Sequence, residues 1–334
     1  MLLLYNLMNR DIIEQFNLLI KQIKFDISIS SGKKKMINSY RLNSIQNALG
    51  AIKKFNQEIK NSDQVKNLAG IGKGTLKRID EIIKTGKLVE IKLPTELEFI
   101  DELEEVYGIG KKIAYDLFKK YNIKNIHELK EKYKNGEINL PDNIVKGIKH
   151  YDKIKDNIPR ETIDEVYDFL TKTLLEIDKN LFGIVCGSYR RLNLTSGDVD
   201  YIIVNPKYIT KEDSMKSNII ETVITKLKEK GFIYDSLTDE NVPTKYMGLF
   251  KWKSDVLRRI DIRFIPYESY YTAILYFTGS KNLNKKMRRT AITMGYTLNE
   301  YGLFDENNKM FKVNSEKEIF DILGMEYLSP ELRK

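Results

Sequence analysis

The sequence predicts a multidomain chain, all-α in its first half and α+β in its second. Three observations carry that expectation. Apolar residues recur at helical spacing over 11–25, 42–60, 75–84, 97–106, 111–121, 126–133 and 161–177. Short glycine-bearing turns separate several of these segments. From about 181 the texture changes to β-branched and aromatic runs at 181–186, 199–204 and 259–265, with a helix expected over 214–230.

The length of 334 residues suits several domains, and 42% hydrophobic residues suffice for real cores. The opening apolar run, Met1–Arg10, is too short for a signal peptide and lacks a basic flank. Met8 is an alternative start, because the residues before it match no periodic element. Nothing later approaches the roughly 18 apolar residues of a membrane span, so no membrane partner is expected. The single cysteine, Cys186, excludes an internal disulfide and a cysteine zinc cluster, and its apolar setting predicts a small buried hydrophobe. Two histidines, His127 and His150, make a His-rich metal site and Ser-His-Asp catalysis poor fits. Any metal should then be a hard cation held by carboxylate oxygen.

Residues 1–92 hold 17 Lys and Arg against 8 Asp and Glu, whereas the remaining 242 residues carry 39 of each. The asymmetry points to a basic N-terminal module facing a polyanion, with a solvated lysine-rich surface as the competing reading. Lys92-Leu93-Pro94 separates this basic stretch from an acidic one and marks a boundary near 92.

Two turns repeat one pattern. Leu68-Ala69-Gly70-Ile71-Gly72-Lys73-Gly74 and Val106-Tyr107-Gly108-Ile109-Gly110-Lys111-Lys112 each run apolar, glycine, isoleucine, glycine, basic, then helix. The glycines permit a sharp turn, and the helix that follows presents free N–H groups where a phosphate can dock. Both resemble the helix-hairpin-helix motif, which grips the DNA backbone without reading bases. That resemblance makes Gly70, Gly72, Lys73, Gly108, Gly110 and Lys111 DNA contacts. It also implies a monovalent cation, Na⁺ or K⁺, on backbone carbonyls of Lys66, Leu68 and Ile71, and of Glu104, Val106 and Ile109.

Gly187-Ser188-Tyr189-Arg190-Arg191 is followed by Ser196-Gly197-Asp198-Val199-Asp200. In a strand over 198–204, Asp198 and Asp200 share a face. Asp261, alternating with Ile260 and Ile262, supplies a third strand carboxylate. Carboxylates this close repel unless a cation neutralises them, and three on neighbouring strands suit paired Mg²⁺ ions and in-line phosphoryl chemistry. The Gly187-Ser188 turn could cradle a triphosphate, with Arg191 balancing charge. An isolated Asp-x-Asp is more often a solvated turn, but that reading leaves the Gly-Ser-x-Arg-Arg prefix and the third aspartate unexplained.

These motifs, with Tyr276-Phe277-Thr278-Gly279-Ser280, Asn299-Glu300-Tyr301 and Ser315–Asp321, closely resemble the X family of DNA polymerases in its beta type. Order and spacing fit along nearly the whole chain. The resemblance implies all-α helix-hairpin-helix domains, then an α+β nucleotidyltransferase palm, then a C-terminal α+β nucleotide-selection subdomain. Their expected extents are 1–92 (lyase type), 93–153 (DNA-binding), 154–268 (palm) and 269–334. It makes Asp198, Asp200 and Asp261 the ligands of two Mg²⁺ ions, which Mn²⁺ can replace, and Asp261 the acceptor of the primer hydroxyl proton. Ser188, Arg191 and Gly197 would hold the triphosphate. Tyr276, Phe277 and Gly279 would pack on its sugar, Asn284 would reach the base edge, and Arg288 the template. Arg259 joins the DNA contacts, as does Arg41 toward a 5′-phosphate.

The implied activity is template-directed gap filling in base-excision or short-gap repair. Template-independent terminal transfer and a non-catalytic scaffold are the alternatives. Implied partners are gapped or nicked double-stranded DNA with a 5′-phosphate and dNTPs. The protein would be an intracellular monomer, nuclear in a eukaryote and in the replication compartment or virion of a virus. Five positions depart from the family. Asn157 stands where an arginine is common before Ile158-Pro159, and Lys281 where an acid is common beside the incoming base. Ile45-Gln46 replaces a tyrosine–arginine pair. Arg78 holds the place of the lysine that performs 5′-deoxyribose phosphate removal, leaving Lys77 and Lys84 as weak substitutes and the lyase activity doubtful.

Overall fold

The structure is a computed structural model in which residues 9–91, 96–154, 157–238 and 242–333 are described. Two features expected from the sequence, the start at Met8 and the boundary at 92–94, lie outside these residues. The chain divides after Ile148 into two compact units.

The first unit is helical. Arg10–Ile29 and Gly32–Lys54 bury Phe16, Leu19 and Ile23 against Ile45, Ala48 and Ile52, and Val65, Ile79 and Leu88 close the same core. The second of these helices begins ten residues earlier than its apolar pattern predicts. Lys33–Lys35, Met36 and Ile37 are all exposed, so no buried stripe announces that end, while lysine favours helix intrinsically. It stops at Lys54 rather than 60 because Phe55 turns extended. Lys73–Thr85 completes this core and ends on Gly86 at φ +75°. Glu96–Glu104, Lys111–Tyr121, Ile126–Lys134 and Asp142–His150 follow, burying Ile100, Leu103, Ala114, Leu117 and Leu129.

The second unit is built on strands β1 (Ile158–Pro159), β2 (Phe182–Val185), β3 (Thr195–Ser196), β4 (Val199–Val204), β5 (Ile233–Ser236), β6 (Lys245–Phe250) and β7 (Arg258–Phe264). The main sheet runs β2-β4-β7-β6-β5; β4 and β7 are parallel and the other pairs antiparallel. Period-2 alternation sorts the side chains. Val199, Tyr201 and Ile203 of β4, with Ile260, Ile262 and Phe264 of β7, enter the core under helices Arg160–Ile177 and Ile219–Glu229. Ile202 and Val204 face a smaller core with Cys186, Ala273 and Ile274. The expected helix 214–230 is two pieces, Lys211–Met215 and Ile219–Glu229. Beyond the sheet, Tyr270–Thr278, Lys281–Thr293, the hairpin β8 (Thr297–Asn299) with β9 (Gly302–Phe304), and Glu316–Ile322 share a separate core of Leu283, Met287, Leu303, Ile319 and Phe320.

Candidate active site and nucleic-acid interface

The sheet places the carboxylates. In the parallel β4–β7 ladder Asp200 and Asp261 are register partners, and Asp198 stands one residue before β4. The alternation that buries Val199 and Tyr201 on one face turns Asp200 to the other. Burial raises the Asp200 carboxyl to about 7, reinforced by the charges of Asp198 and Asp261. Asp261 rises to about 6, again by burial and then by Asp198, with Arg263 and Arg259 pulling the other way. Asp198 leans toward Arg259, Oδ2 to Nη2 3.5 Å. Among the described residues no three His, Cys, Asp or Glu side chains close to metal-ligating distance; three neighbouring anions repel, and Arg259 draws one aside. The donor set nonetheless fits a divalent cation: it offers hard oxygens only, and at Asp200 and Asp261, where burial and neighbouring carboxylates disfavour the negative charge, an added positive charge brings relief.

Glycine brings the adjacent loop onto this set. Gly187 has φ +55°, and a Cβ there would stand 2.3 Å from Asp200 Oδ2. Its side-chain-free backbone therefore lies against the carboxylate, and the Cys186 amide donates to the Asp200 carbonyl at 2.8 Å. Beside them opens a cleft of about 480 Å³. It is lined by Ser188, Arg191, Asp198, Asp200, Tyr276, Phe277, Gly279, Asn284 and Arg288, all expected from the sequence. Lys281 and Lys285 line it as well. Asp261, Gly197 and Arg259 are not in its lining; Asp261 stays connected through the ladder, and Arg259 through Asp198. Arg191 donates to the Thr278 carbonyl at 2.5 Å, and Asn284 to the Tyr276 carbonyl at 2.7 Å. The Arg288 guanidinium lies 4.8 Å from the Tyr276 ring centre.

In the first unit the two glycine turns are structural copies. Gly70 and Gly108 have φ +89° and +90°, a region costly for any residue with a Cβ. The Ile71 amide donates to the Leu68 carbonyl at 3.1 Å, and Ile109 to Val106 at 3.0 Å. Gly72 and Gly110 then cap the helices Lys73–Thr85 and Lys111–Tyr121 with φ, ψ of −111°, 174° and −99°, 171°. Gly72, Lys73, Gly110 and Lys111 are exposed, and Lys111 is 3.4 Å from Glu104. The carbonyl-bearing residues Lys66, Leu68 and Ile71 thus occupy the same places as Glu104, Val106 and Ile109.

Comparison with known proteins matches residues 9–88 to a helix-hairpin-helix domain, 157–267 to the DNA polymerase beta palm and 273–334 to the DNA polymerase beta thumb. The chain belongs to the X family of DNA polymerases. Among its relatives, DNA polymerase lambda of Arabidopsis thaliana is 32% identical over 331 residues, covering 90% of this chain and 60% of that protein. DNA polymerase lambda of Rattus norvegicus is 27% identical, covering 86% and 51%. DNA-directed DNA/RNA polymerase mu of Homo sapiens is 23% identical, covering 88% and 64%. The chain therefore spans 51–64% of the length of these three relatives. No helix among the described residues is long and apolar enough to cross a membrane.

Within this X-family chain the sequence left one set of residues without a role. Arg190 donates to Thr278 Oγ1 at 2.8 Å and to both oxygens of Glu316 at 3.0 and 2.7 Å. Arg333, fully buried, donates to the same carboxylate at 2.6 Å. Burial alone would raise Glu316, but the two guanidinium groups hold it below the ordinary carboxylate range. This trio ties the Gly187–Arg190 turn to the C-terminal helices. At the lyase position, the Arg78 guanidinium grips Glu90, whose Oε2 also takes Arg41 at 2.7 Å. Burial opposes ionisation of Glu90, and Arg78 and Arg41 overcome it, so its carboxyl is lowered. Lys77 and Lys84 are exposed, Ile45 is buried in the core and Gln46 is exposed.

Proposed function

We propose that this chain is a template-directed, gap-filling DNA polymerase. It adds a deoxynucleoside monophosphate to a primer 3′-hydroxyl, with loss of pyrophosphate, in base-excision or short-gap repair. The observation that carries the reading is the pairing of Asp200 with Asp261 in one ladder, with Asp198 alongside and the Gly187 backbone against Asp200. Asp198, Asp200 and Asp261 would hold two Mg²⁺ ions, or Mn²⁺ in their place, which supply charge neutralisation at the attacking and leaving oxygens. Asp261 takes the proton of the primer hydroxyl, a role that suits a desolvated carboxylate with raised proton affinity. Ser188, Arg191 and Gly197 bind the triphosphate. Tyr276, Phe277 and Gly279 pack on its sugar, Asn284 reads the base edge, and Arg288 holds the template. Arg259 and the two hairpin turns hold the DNA backbone, with a monovalent cation on the turn carbonyls.

The first domain binds the 5′-phosphate side of the gap through Arg41 without removing sugar phosphate, because an arginine ion-paired to Glu90 offers no neutral amine. The protein acts inside the cell as a monomer on gapped or nicked DNA. Primer extension on gapped DNA against a lone single strand tests the reading. Extension of the gap alone supports it; extension of the single strand supports terminal transfer. Tight DNA binding with no extension in Mg²⁺ or Mn²⁺ leaves only a scaffold.

A further inference from the structure

Lys281 and Lys285 line the cleft but have no assigned role. They stand at i and i+4 of the helix Lys281–Thr293 and so share a face, which Arg288 continues. The first turn of that helix contains no acidic residue, so Lys281 sets a cation where the helix dipole is already positive. That arrangement costs stability unless an anion sits nearby. Among the described residues no hydrogen bond or ion pair engages either lysine side chain. Two neighbouring polar groups of the lining are already engaged, Asn284 by the Tyr276 carbonyl and Arg191 by the Thr278 carbonyl. The start of the helix also lies close to Arg191: a Cβ on Gly279 would meet Arg191 Nη1 and the Lys281 amide nitrogen at 3.4 Å each. Altogether four cationic side chains face two carboxylates across the cleft. A site with that excess attracts an anion as small as a metal-bound nucleoside triphosphate.

We propose that Lys281 and Lys285 give this cleft affinity for a nucleoside triphosphate without DNA, so that the protein can load its nucleotide before it meets a gap. The inference rests on the polymerase reading of the same site and adds an order of binding. A DNA phosphate is the weaker fit, because both lysines share the cleft with Ser188, Arg191 and the carboxylates rather than standing on the hairpin surfaces.

The test is calorimetric titration of the full chain with dATP and Mg²⁺ in the absence of DNA, beside K281A/K285A. Both side chains are exposed, so the variant keeps its core, and a thermal melt checks this. Wild type should bind, and the double variant should bind at least about tenfold more weakly. Salt should weaken the wild type more steeply than the variant, while affinity for gapped DNA should change by less than about threefold. No DNA-free binding by a wild type that extends gapped primers would overturn the proposal alone. So would a variant that keeps nucleotide affinity and loses DNA affinity instead. A wild type that neither binds dATP nor extends a primer would overturn the polymerase reading, and this inference with it.

Discussion

Asp261→Asn separates the proposed catalytic role of the carboxylates from their structural cost. The Asp261 carboxyl rises from 3.8 to about 6, chiefly through burial. A rise of roughly two pH units corresponds to about 3 kcal/mol of strain in the ionised site, at 1.36 kcal/mol per unit. The sign follows from proton binding. The native state holds this proton more tightly than the unfolded chain, so stability is full below the unfolded value and falls as pH rises through the folded one. Asparagine removes the charge at nearly constant shape. In metal-free buffer at pH 7.5 the variant should therefore melt higher than wild type. At roughly 2–4 °C per kcal/mol for a unit of this size, the gain is on the order of 6–12 °C. The gap should close as pH falls from about 6 toward 4. Added Mg²⁺ should raise the wild-type midpoint more than that of the variant. Scanning calorimetry across pH, with and without Mg²⁺, reads all three effects. A variant that melts lower than wild type at pH 7.5 would refute the electrostatic account. In parallel, single-turnover insertion should nearly vanish; a rate within about tenfold of wild type, roughly 1.4 kcal/mol of barrier, would remove Asp261 from catalysis.

Further outcomes follow from the same structure. A Cβ at Gly72 or Gly110 would meet nothing within 4 Å, so Gly72→Val with Gly110→Val should fold normally. It should nonetheless weaken gapped-DNA binding on every sequence alike, with a reduced salt slope; a sequence-dependent loss in a binding assay would contradict backbone contacts. Glu316→Gln leaves the buried Arg333 and the partly buried Arg190 without their carboxylate and should cost about 3–5 kcal/mol by denaturant unfolding. Because Glu316 is lowered, wild-type stability should be lost as pH falls through its folded value, and the variant should lack that acid limb. Borohydride treatment on an incised abasic substrate should trap no efficient adduct on the first domain, and a robust one on Lys77 or Lys84 would reverse the reading of Arg78.

What was legible in the sequence follows from the range of the physics involved. That Asp200 and Asp261 turn away from the core could be anticipated because strand alternation is strict: they alternate with Val199, Tyr201, Ile260 and Ile262, which have to be buried, whereas their register as partners is set only by the fold. The twin turns were legible because Gly70 and Gly108 satisfy a local backbone requirement that few other residues can meet. The first ten residues of helix Gly32–Lys54 were not, since an exposed lysine-rich segment has no apolar period to read. The partner of Arg78 was equally hidden. Glu90 lies twelve residues on, beyond the helix end at Thr85, and only the fold decides that they meet.

Arg190 and Arg191 show where sequence reasoning reaches its limit at the site itself. They are neighbours in one motif, and either could balance the charge of a triphosphate. In the short helix Gly187–Arg190, one residue rotates a side chain by about 100°. That rotation sends Arg190 to Thr278 Oγ1 and the buried Glu316, while Arg191 reaches the Thr278 carbonyl and lines the cleft. Arg190 therefore ties the loop to the C-terminal helices, and Arg191 is left on the cleft where the proposed function puts the triphosphate. Both bind Thr278, so the Gly187–Arg190 loop is registered against the wall bearing Tyr276, Phe277 and Lys281. A change at Glu316, outside the cleft lining, should on this account shift nucleotide affinity as well as stability, because the carboxylate acts on the cleft through Arg190.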